Sequence, residues 1–187
     1  MKIVKESINF ERGLDPKESM NIGIKPKITD WLYNYFIVTS QATKQSYFKI
    51  NDDLTIDIYG FFATSWKGNF PDYIQFNKIF TNKNNNGDFQ IGAGNKMNTL
   101  RGCPKIVEGN FDCTKNNLKN LIGGPIIVEG TYYCGQNPLE SLEGLAKEIG
   151  SGLSCNNKSG LTKKDIPKET KFSCYSDQIS ISYWGNW

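Results

Sequence analysis

Hydrophobic and polar positions repeat at a fixed spacing between residues 100 and 155. Leu100, Leu121 and Leu142 open three similar segments that are 21 residues apart. Apolar positions stay in phase within the segments: Val107, Val128 and Ile149; Phe111, Tyr132 and Leu153; Cys113, Cys134 and Cys155. A constant period over three segments predicts one small unit stacked on copies of itself, because a unit this short cannot bury a core alone.

Each segment is predicted to contain a short strand. An apolar residue and a Cys, separated by one residue, give the period-two alternation of a strand with one buried face. An Asn follows three residues after the Cys, at Asn116 and Asn137, and a Leu two residues later. This spacing resembles the second half of the leucine-rich-repeat template, L-x-L-x-x-N-x-L. The inward Asn is expected to bond backbone groups of the turn.

The remainder of each segment carries Gly102 and Pro104, or Gly123 and Pro125, and is too short for a full α-helix. We expect it to be an extended or 3₁₀-like outer wall. The predicted fold is therefore mainly β: a short leucine-rich-repeat-like solenoid with one parallel strand per coil of roughly 21 residues. An N-terminal helical arm and a cap precede the solenoid.

Three parts are predicted along the chain. Residues 1–24 form a leader arm with a two-turn helix that starts at Asp15-Pro16 and stops at Gly23. Residues 25–46 hold a capping helix, started by Thr29 or Asp30, and a linker. Residues 47–187 form the solenoid with a degenerate C-terminal coil. The buried face of the capping helix is predicted to consist of Ile28, Trp31, Leu32, Tyr35 and Phe36.

Further strands are expected on both sides of the three clear segments. Alternating apolar residues from Tyr47 to Ile58, interrupted by Asn51-Asp-Asp53, predict a hairpin. Gly87–Ile91 resembles a repeat strand, with Ile91 in the Cys position. Phe172-Ser-Cys174 is predicted to be a fourth copy. The aromatic residues from Ile179 to Trp187 either cover the last coil or bind a partner.

The chain has five cysteines, and four of them occupy the same position in successive predicted coils. A row of thiols could bind a metal or form disulfides. Alternatively, Cys serves as a small hydrophobic residue. The second role is favoured because the chain has no CxxC pair and no histidine. Cys103 occupies a variable position and is expected to be partly exposed.

Composition narrows the function classes. A net charge of +3 with 22% charged residues favours neither a nucleic-acid binder nor an acidic solvating chain. No apolar run approaches the roughly 18 residues of a membrane span, and the first residues do not resemble a signal peptide. Without histidine, a glycine-rich phosphate loop or a converging pair of carboxylates, we predict no enzyme activity, no catalytic residues, no cofactor and no metal.

Several stretches resemble proteins of tailed bacteriophages. Leu100–Leu118 is similar to the short cysteine-containing leucine-rich repeats of such proteins. The segments 51–57 and 70–76 resemble stretches that lead into these repeats, and Ser7–Gly23 resembles a leader shared by otherwise different phage proteins. The resemblance implies a phage product with a recognition scaffold, located in the host cytoplasm or in the virion. Because the same leader occurs on otherwise unrelated phage proteins, the resemblance implies that these proteins share a destination or an assembly partner.

The leading functional hypothesis is a binding module for a host or phage protein. Outward residues of stacked strands form columns on a continuous surface, and Tyr133 is the expected centre. Ordinary solvated strand residues would follow the same pattern. The alternative is a virion or assembly component held by residues 1–23, with Phe10, Arg12, Leu14, Met20 and Ile22 as docking residues in cis or in trans. The predicted binding residues are Asp88, Gln90, Asn110, Asp112, Thr131, Tyr133, Ser154, Lys171 and Tyr175.

Overall fold

The computed structural model describes residues 16–36, 46–173 and 178–183, with the backbone alone for residues 16–22 and 183. Within these ranges the protein is mainly β, with parallel strands in two sheets and one α-helix. The elements are α1 (Pro16–Tyr35), β1 (Tyr47–Ile50), β2 (Ile56–Tyr59), β3 (Phe62–Thr64), β4 (Phe76–Phe80), β5 (Phe89–Ile91), β6 (Ile106–Val107), β7 (Phe111–Asp112), β8 (Ile127–Val128), β9 (Thr131–Tyr133), β10 (Glu148–Ile149), β11 (Gly152–Asn157), a 3₁₀ turn (Lys163–Asp165), β12 (Lys171–Phe172) and β13 (Ile179–Tyr183).

The strands are shared between two sheets. The seven-stranded sheet has the order β1-β2-β4-β6-β8-β10-β12, and the six-stranded sheet has the order β13-β11-β9-β7-β5-β3. Only the β1–β2 pair is antiparallel among these named strands. Each 21-residue segment thus contributes one strand to each sheet. The prediction of a single strand per segment is wrong, because the return segment pairs with its neighbours through β-branched residues such as Ile127 and Val128.

The register between strands follows the sequence period. Phe111 lies opposite Tyr132, and Val107 opposite Val128, so positions 21 residues apart are direct neighbours. Phe89 lies opposite Phe111, which confirms the predicted repeat strand at Gly87–Ile91. The rings of Phe62, Phe89 and Phe111 stack in the core, with centroid distances of 4.7 and 5.8 Å between successive rings. Equivalent side chains of successive segments therefore share one buried row.

The predicted inward asparagines bond the turns between segments. Asn137 is 3% exposed, and its Nδ2 donates to the carbonyl oxygens of Cys113 and Cys134 at 2.9 and 3.0 Å. Its Oδ1 accepts a hydrogen bond from the backbone N–H of Asn116 at 3.0 Å. The Oδ1 of Asn116 in turn accepts from the backbone N–H of Met97. Each asparagine thus ties its own turn to the segment before it.

Helix α1 covers Pro16–Tyr35 within the described residues, so it does not stop at Gly23. Its predicted start at Asp15-Pro16 stays a prediction. A glycine inside a helix costs only about 1 kcal/mol, so it does not by itself end one. The predicted second start is also wrong, because Thr29 lies inside α1 and its hydroxyl donates to the carbonyl of Lys25 at 2.9 Å. The division of this region into two parts at residue 24 stays a prediction.

The C-terminal half of α1 packs over the start of the sheets, as predicted. Ile28, Trp31 and Leu32 are buried, and Trp31 contacts the rings of Phe70 and Phe76 at centroid distances of 5.6 and 6.4 Å. Tyr35 and Phe36 are partly buried against the same core. The predicted hairpin is present as well, since β1 and β2 pair antiparallel across the turn after Asn51.

The C-terminal segment differs from the prediction. Phe172 lies opposite Ile149 in the seven-stranded sheet, so Phe172-Ser-Cys174 is not a fourth copy of the Phe-x-Cys strand. Strand β13 takes that place, with Ile179 opposite Leu153 and Ile181 opposite Cys155. Residues 179–183 are therefore a sheet strand beside β11. The role of the aromatic side chains, covering the last coil or binding a partner, stays a prediction. Residues 174–177 and 184–187 lie outside the described residues.

Candidate binding surface

The burial of alternate residues along each strand identifies the residues on the outward face of the six-stranded sheet. Phe111 and Cys113 are 0% exposed, as are Tyr132 and Cys134, so the residues between them point to the opposite side of the strand. The strand register then aligns these outward residues in one row. The row, which we call the central column, consists of Gln90, Asp112, Tyr133, Ser154 and Ser180; Ala63, next to Gln90 on β3, is buried.

Tyr133 is the largest side chain in the central column and is 36% exposed. Its neighbours across the sheet are Asp112 on β7 and Ser154 on β11. Two residues before it on the strand is Thr131, and two residues after it, beyond the end of β9, is Gly135, which has no side chain. An aromatic ring surrounded by small residues can present both apolar area and a hydroxyl group to a partner, which is typical of interface anchors.

Asp112 is half-buried and has acceptor capacity to spare. Its Oδ1 accepts from the backbone N–H of Thr114 at 2.9 Å. Its Oδ2 has only a long contact, 3.4 Å, with the Nε2 of Gln90. A carboxylate can accept about four hydrogen bonds. Within the described parts of the chain, the ion pairs join Lys78 to Glu108, Arg101 to Asp72 and Lys119 to Glu140, and none includes Asp112.

Three predicted binding residues form a second column whose members bond one another. The Oδ1 of Asp88 accepts from the backbone N–H of Asn110 at 2.7 Å. The Oδ1 of Asn110 accepts from the backbone N–H of Thr131 at 2.8 Å. These side-chain oxygens therefore already accept hydrogen bonds from the neighbouring strand and are less available to a partner. The predicted binding residues that lie together in the central column are Gln90, Asp112, Tyr133 and Ser154.

Other predicted site residues lie elsewhere. Lys171 is opposite Glu148 in the seven-stranded sheet, so the structure does not bring it to the central column. Ser180 occupies the corresponding place on β13. Tyr175 and the leader residues Phe10, Arg12 and Leu14 lie outside the described residues. Met20 and Ile22 fall within α1, where only the backbone is described.

The four cysteines that the structure describes are buried in the core. Cys103, Cys113, Cys134 and Cys155 are free thiols and at most 3% exposed, which corrects the expectation that Cys103 is partly exposed. Burial raises the pKa of Cys103 and of Cys113 above the usual value for a thiol. A protonated, enclosed thiol is a poor nucleophile. The described residues include no group of three or more His, Cys, Asp or Glu side chains able to hold a metal ion.

A row of aromatic rings lies on the outer face of the seven-stranded sheet and was not predicted. Tyr47, Tyr59 and Phe80 are outward residues of β1, β2 and β4, and their rings stack in parallel with 4.6 Å between successive centroids. Lys78 Nζ lies 4.4 Å from the Phe80 centroid and 2.7 Å from Glu108 Oε1. The alternation of Tyr47 with the inward Phe48 in the sequence could have predicted that Tyr47, the first of these rings, points outward.

The comparisons with protein-family models, with curated proteins and with solved structures return no match to this chain. No helix in the described ranges is both long enough and apolar enough to span a membrane.

Proposed function

We propose that the chain is a leucine-rich-repeat-like solenoid that acts as a non-enzymatic scaffold for binding a protein. Two parallel sheets in 21-residue register and the asparagines bonded between turns support the solenoid. The observation that carries the binding function is the central column, in which Gln90, Asp112, Tyr133 and Ser154 lie on adjacent strands of one continuous sheet.

The chemistry of this surface favours a protein over a nucleic acid. Its central column contains one aromatic ring, one carboxylate and neutral polar groups, but no Lys or Arg among the described residues. A phosphate backbone is bound mainly by cationic side chains. A protein interface is typically built around a partly buried aromatic residue with polar groups at its rim.

The resemblance to phage repeat proteins suggests where the partner would be found. The partner is then a host or phage protein, encountered in the host cytoplasm or in the virion. The alternative of a virion component held by residues 1–23 stays a prediction, because its docking side chains are not described.

The test compares two matched double variants of the full chain as affinity baits in extracts of infected cells. Asp112→Lys with Tyr133→Ala reverses a charge and removes an aromatic ring on the central column. Glu148→Lys with Tyr47→Ala makes the same changes on the outer face of the other sheet, where both residues are exposed. We expect the first variant to lose a specific protein that the wild type and the second variant retain. Equal retention by both variants would refute the proposal.

A further inference from the structure

Tyr133 and Asp112 lie next to each other on the exposed side of two hydrogen-bonded strands. Adjacent strands are about 4.8 Å apart, so a group that contacts the ring also reaches the carboxylate. Ser154, on the other neighbouring strand, is too short to cover the ring. The two side chains therefore border one open position on the central column.

This position is negatively polarised without a nearby cation in the column. Asp112 Oδ2 keeps free acceptor capacity, and no described ion pair neutralises this carboxylate. The nearest lysine in sequence, Lys115, follows the end of β7 and is not a member of the central column. The face of an aromatic ring also carries negative partial charge. Both the carboxylate and the ring thus favour a positively charged ligand.

We infer that Tyr133 and Asp112 form the binding position for an arginine side chain of the partner protein. A guanidinium group can stack on the tyrosine ring and donate hydrogen bonds to the carboxylate at the same time. Lysine is a point charge without a planar surface, and it matches this pair less well. The inference rests on the proposed function, since it specifies the chemistry of the partner at the same surface.

The test uses a short peptide as the probe, with two arginines separated by glycine and with blocked ends. Its binding to the full chain is followed by the aromatic NMR signals of Tyr133, assigned with Tyr133→Phe. The matched control peptide carries citrulline, which has nearly the shape of arginine but no charge. We expect saturable shifts with the arginine peptide in the millimolar range, on the order of a single weak contact, and none with the citrulline peptide.

Two variants test the individual groups. Asp112→Asn keeps an oxygen for the Thr114 N–H but removes the charge, and we expect it to weaken peptide binding about tenfold, the usual effect of one charge-assisted bond. Glu143→Gln removes an exposed carboxylate elsewhere and should leave binding unchanged. Unaltered dispersion of the spectrum verifies folding of each variant.

The inference is wrong if the citrulline peptide binds equally, if Asp112→Asn has no effect, or if neither peptide shifts Tyr133 up to about 10 mM. Shifts with a neutral oligosaccharide in place of the arginine peptide would also overturn it. These outcomes differ from failure of the proposed function. If partner capture requires the central column but the arginine peptide does not bind, the scaffold function stands and the arginine position is wrong.

Discussion

The side-chain amide of Asn137 bonds the carbonyl oxygen of Cys113, which lies one segment earlier in the chain, at 2.9 Å. The same side chain bonds Cys134 in its own segment at 3.0 Å and accepts from the N–H groups of Asn116 and Leu118 at 3.0 and 3.3 Å. One buried amide thus satisfies backbone groups of two consecutive turns. A single polar residue therefore couples the two turns directly.

We expect Asn137→Ala to lower the free energy of unfolding by about 3 kcal/mol or more. The substitution leaves several buried backbone groups without partners, and each such group costs about 1–3 kcal/mol. Urea unfolding of wild type and variant measures the difference. Asn117→Ala is the control, because Asn117 lies beside Asn116 in the preceding turn but is exposed, and its effect should stay within about 0.5 kcal/mol. Similar losses in both variants would contradict the role of the Asn137 bonds.

Tyr132→Phe is expected to stabilise the protein by about 1 kcal/mol. Tyr132 is 0% exposed, and its hydroxyl has no hydrogen-bond partner among the described residues. A buried hydroxyl without a partner carries a desolvation cost of roughly 1–3 kcal/mol. The equivalent position is already Phe in the preceding strands, at Phe89 and Phe111. The urea midpoint reports the change.

The control for this prediction is Tyr133→Phe, which removes a hydroxyl from the exposed side of the same strand. Its free energy of unfolding should change by no more than about 0.5 kcal/mol. A loss of stability in Tyr132→Phe would mean that the hydroxyl is hydrogen-bonded in solution, for example by an internal water.

The sequence period predicts much of the buried core, because a 21-residue repeat fixes which residues are neighbours. It does not identify the sheet to which a strand belongs. The pattern of an apolar residue, any residue and a small residue is compatible with a strand in either sheet. For this reason Phe172 was predicted to lie in the wrong sheet. Strand β3 was missed because Phe62 precedes its partner Phe89 by 27 residues and Thr64 replaces Cys. Local pattern alone cannot register strands across loops of unequal length.

The candidate surface was predicted less completely than the core. Alternation places Asp112 and Tyr133 outward, and the register brings them together. It cannot show that the oxygens of Asp88 and Asn110 are used by neighbouring backbone N–H groups, because those bonds depend on the positions of adjacent turns. Ser180 was missed for the same reason as β13: its step from Ser154 is longer than the repeat.

The buried thiols of Cys103 and Cys113 each contribute stability that falls at alkaline pH. Burial raises the pKa of Cys103 and Cys113 in the folded protein, whereas unfolded thiols titrate near pH 8.5. Above that pH the unfolded chain binds fewer protons than the folded chain, so the free energy of unfolding decreases as pH rises. Each such thiol contributes a slope of about 1.4 kcal/mol per pH unit. This stability is fully present below about pH 8.5 and is lost progressively above it.

Urea unfolding at pH 8, 9 and 10 under reducing conditions measures this slope. Cys113→Ala should make it shallower by up to about 1.4 kcal/mol per pH unit, although the variant is less stable at every pH. Val107→Ala, another truncation in the buried core, should lower stability without changing the slope. An unchanged slope in Cys113→Ala would show that this thiol titrates equally in the folded and unfolded states.

The spacing between consecutive segments can be tested at Gly144. Both Gly144 and Gly68 have positive φ values, +85° and +89°, so alanine at either position carries backbone strain of roughly 1–2 kcal/mol. A Cβ at Gly144 would lie 2.3 Å from the backbone nitrogen of Ile122 in the preceding segment, whereas a Cβ at Gly68 would meet nothing within 4 Å. The clash is with the backbone of Ile122, which cannot move away as a flexible side chain could. The adjacent Leu121 is buried and holds this backbone in place.

We therefore expect Gly144→Ala to destabilise the protein by about 2 kcal/mol more than Gly68→Ala, as measured by urea unfolding. The shared positive φ cancels in this comparison, so the difference reports the close approach between segments alone. Equal effects would mean that the turn at Gly144 does not pack directly on the turn at Ile122 in solution. Since the column of Asp112, Tyr133 and Ser154 depends on the same segment spacing, that result would also weaken the geometric basis of the binding surface.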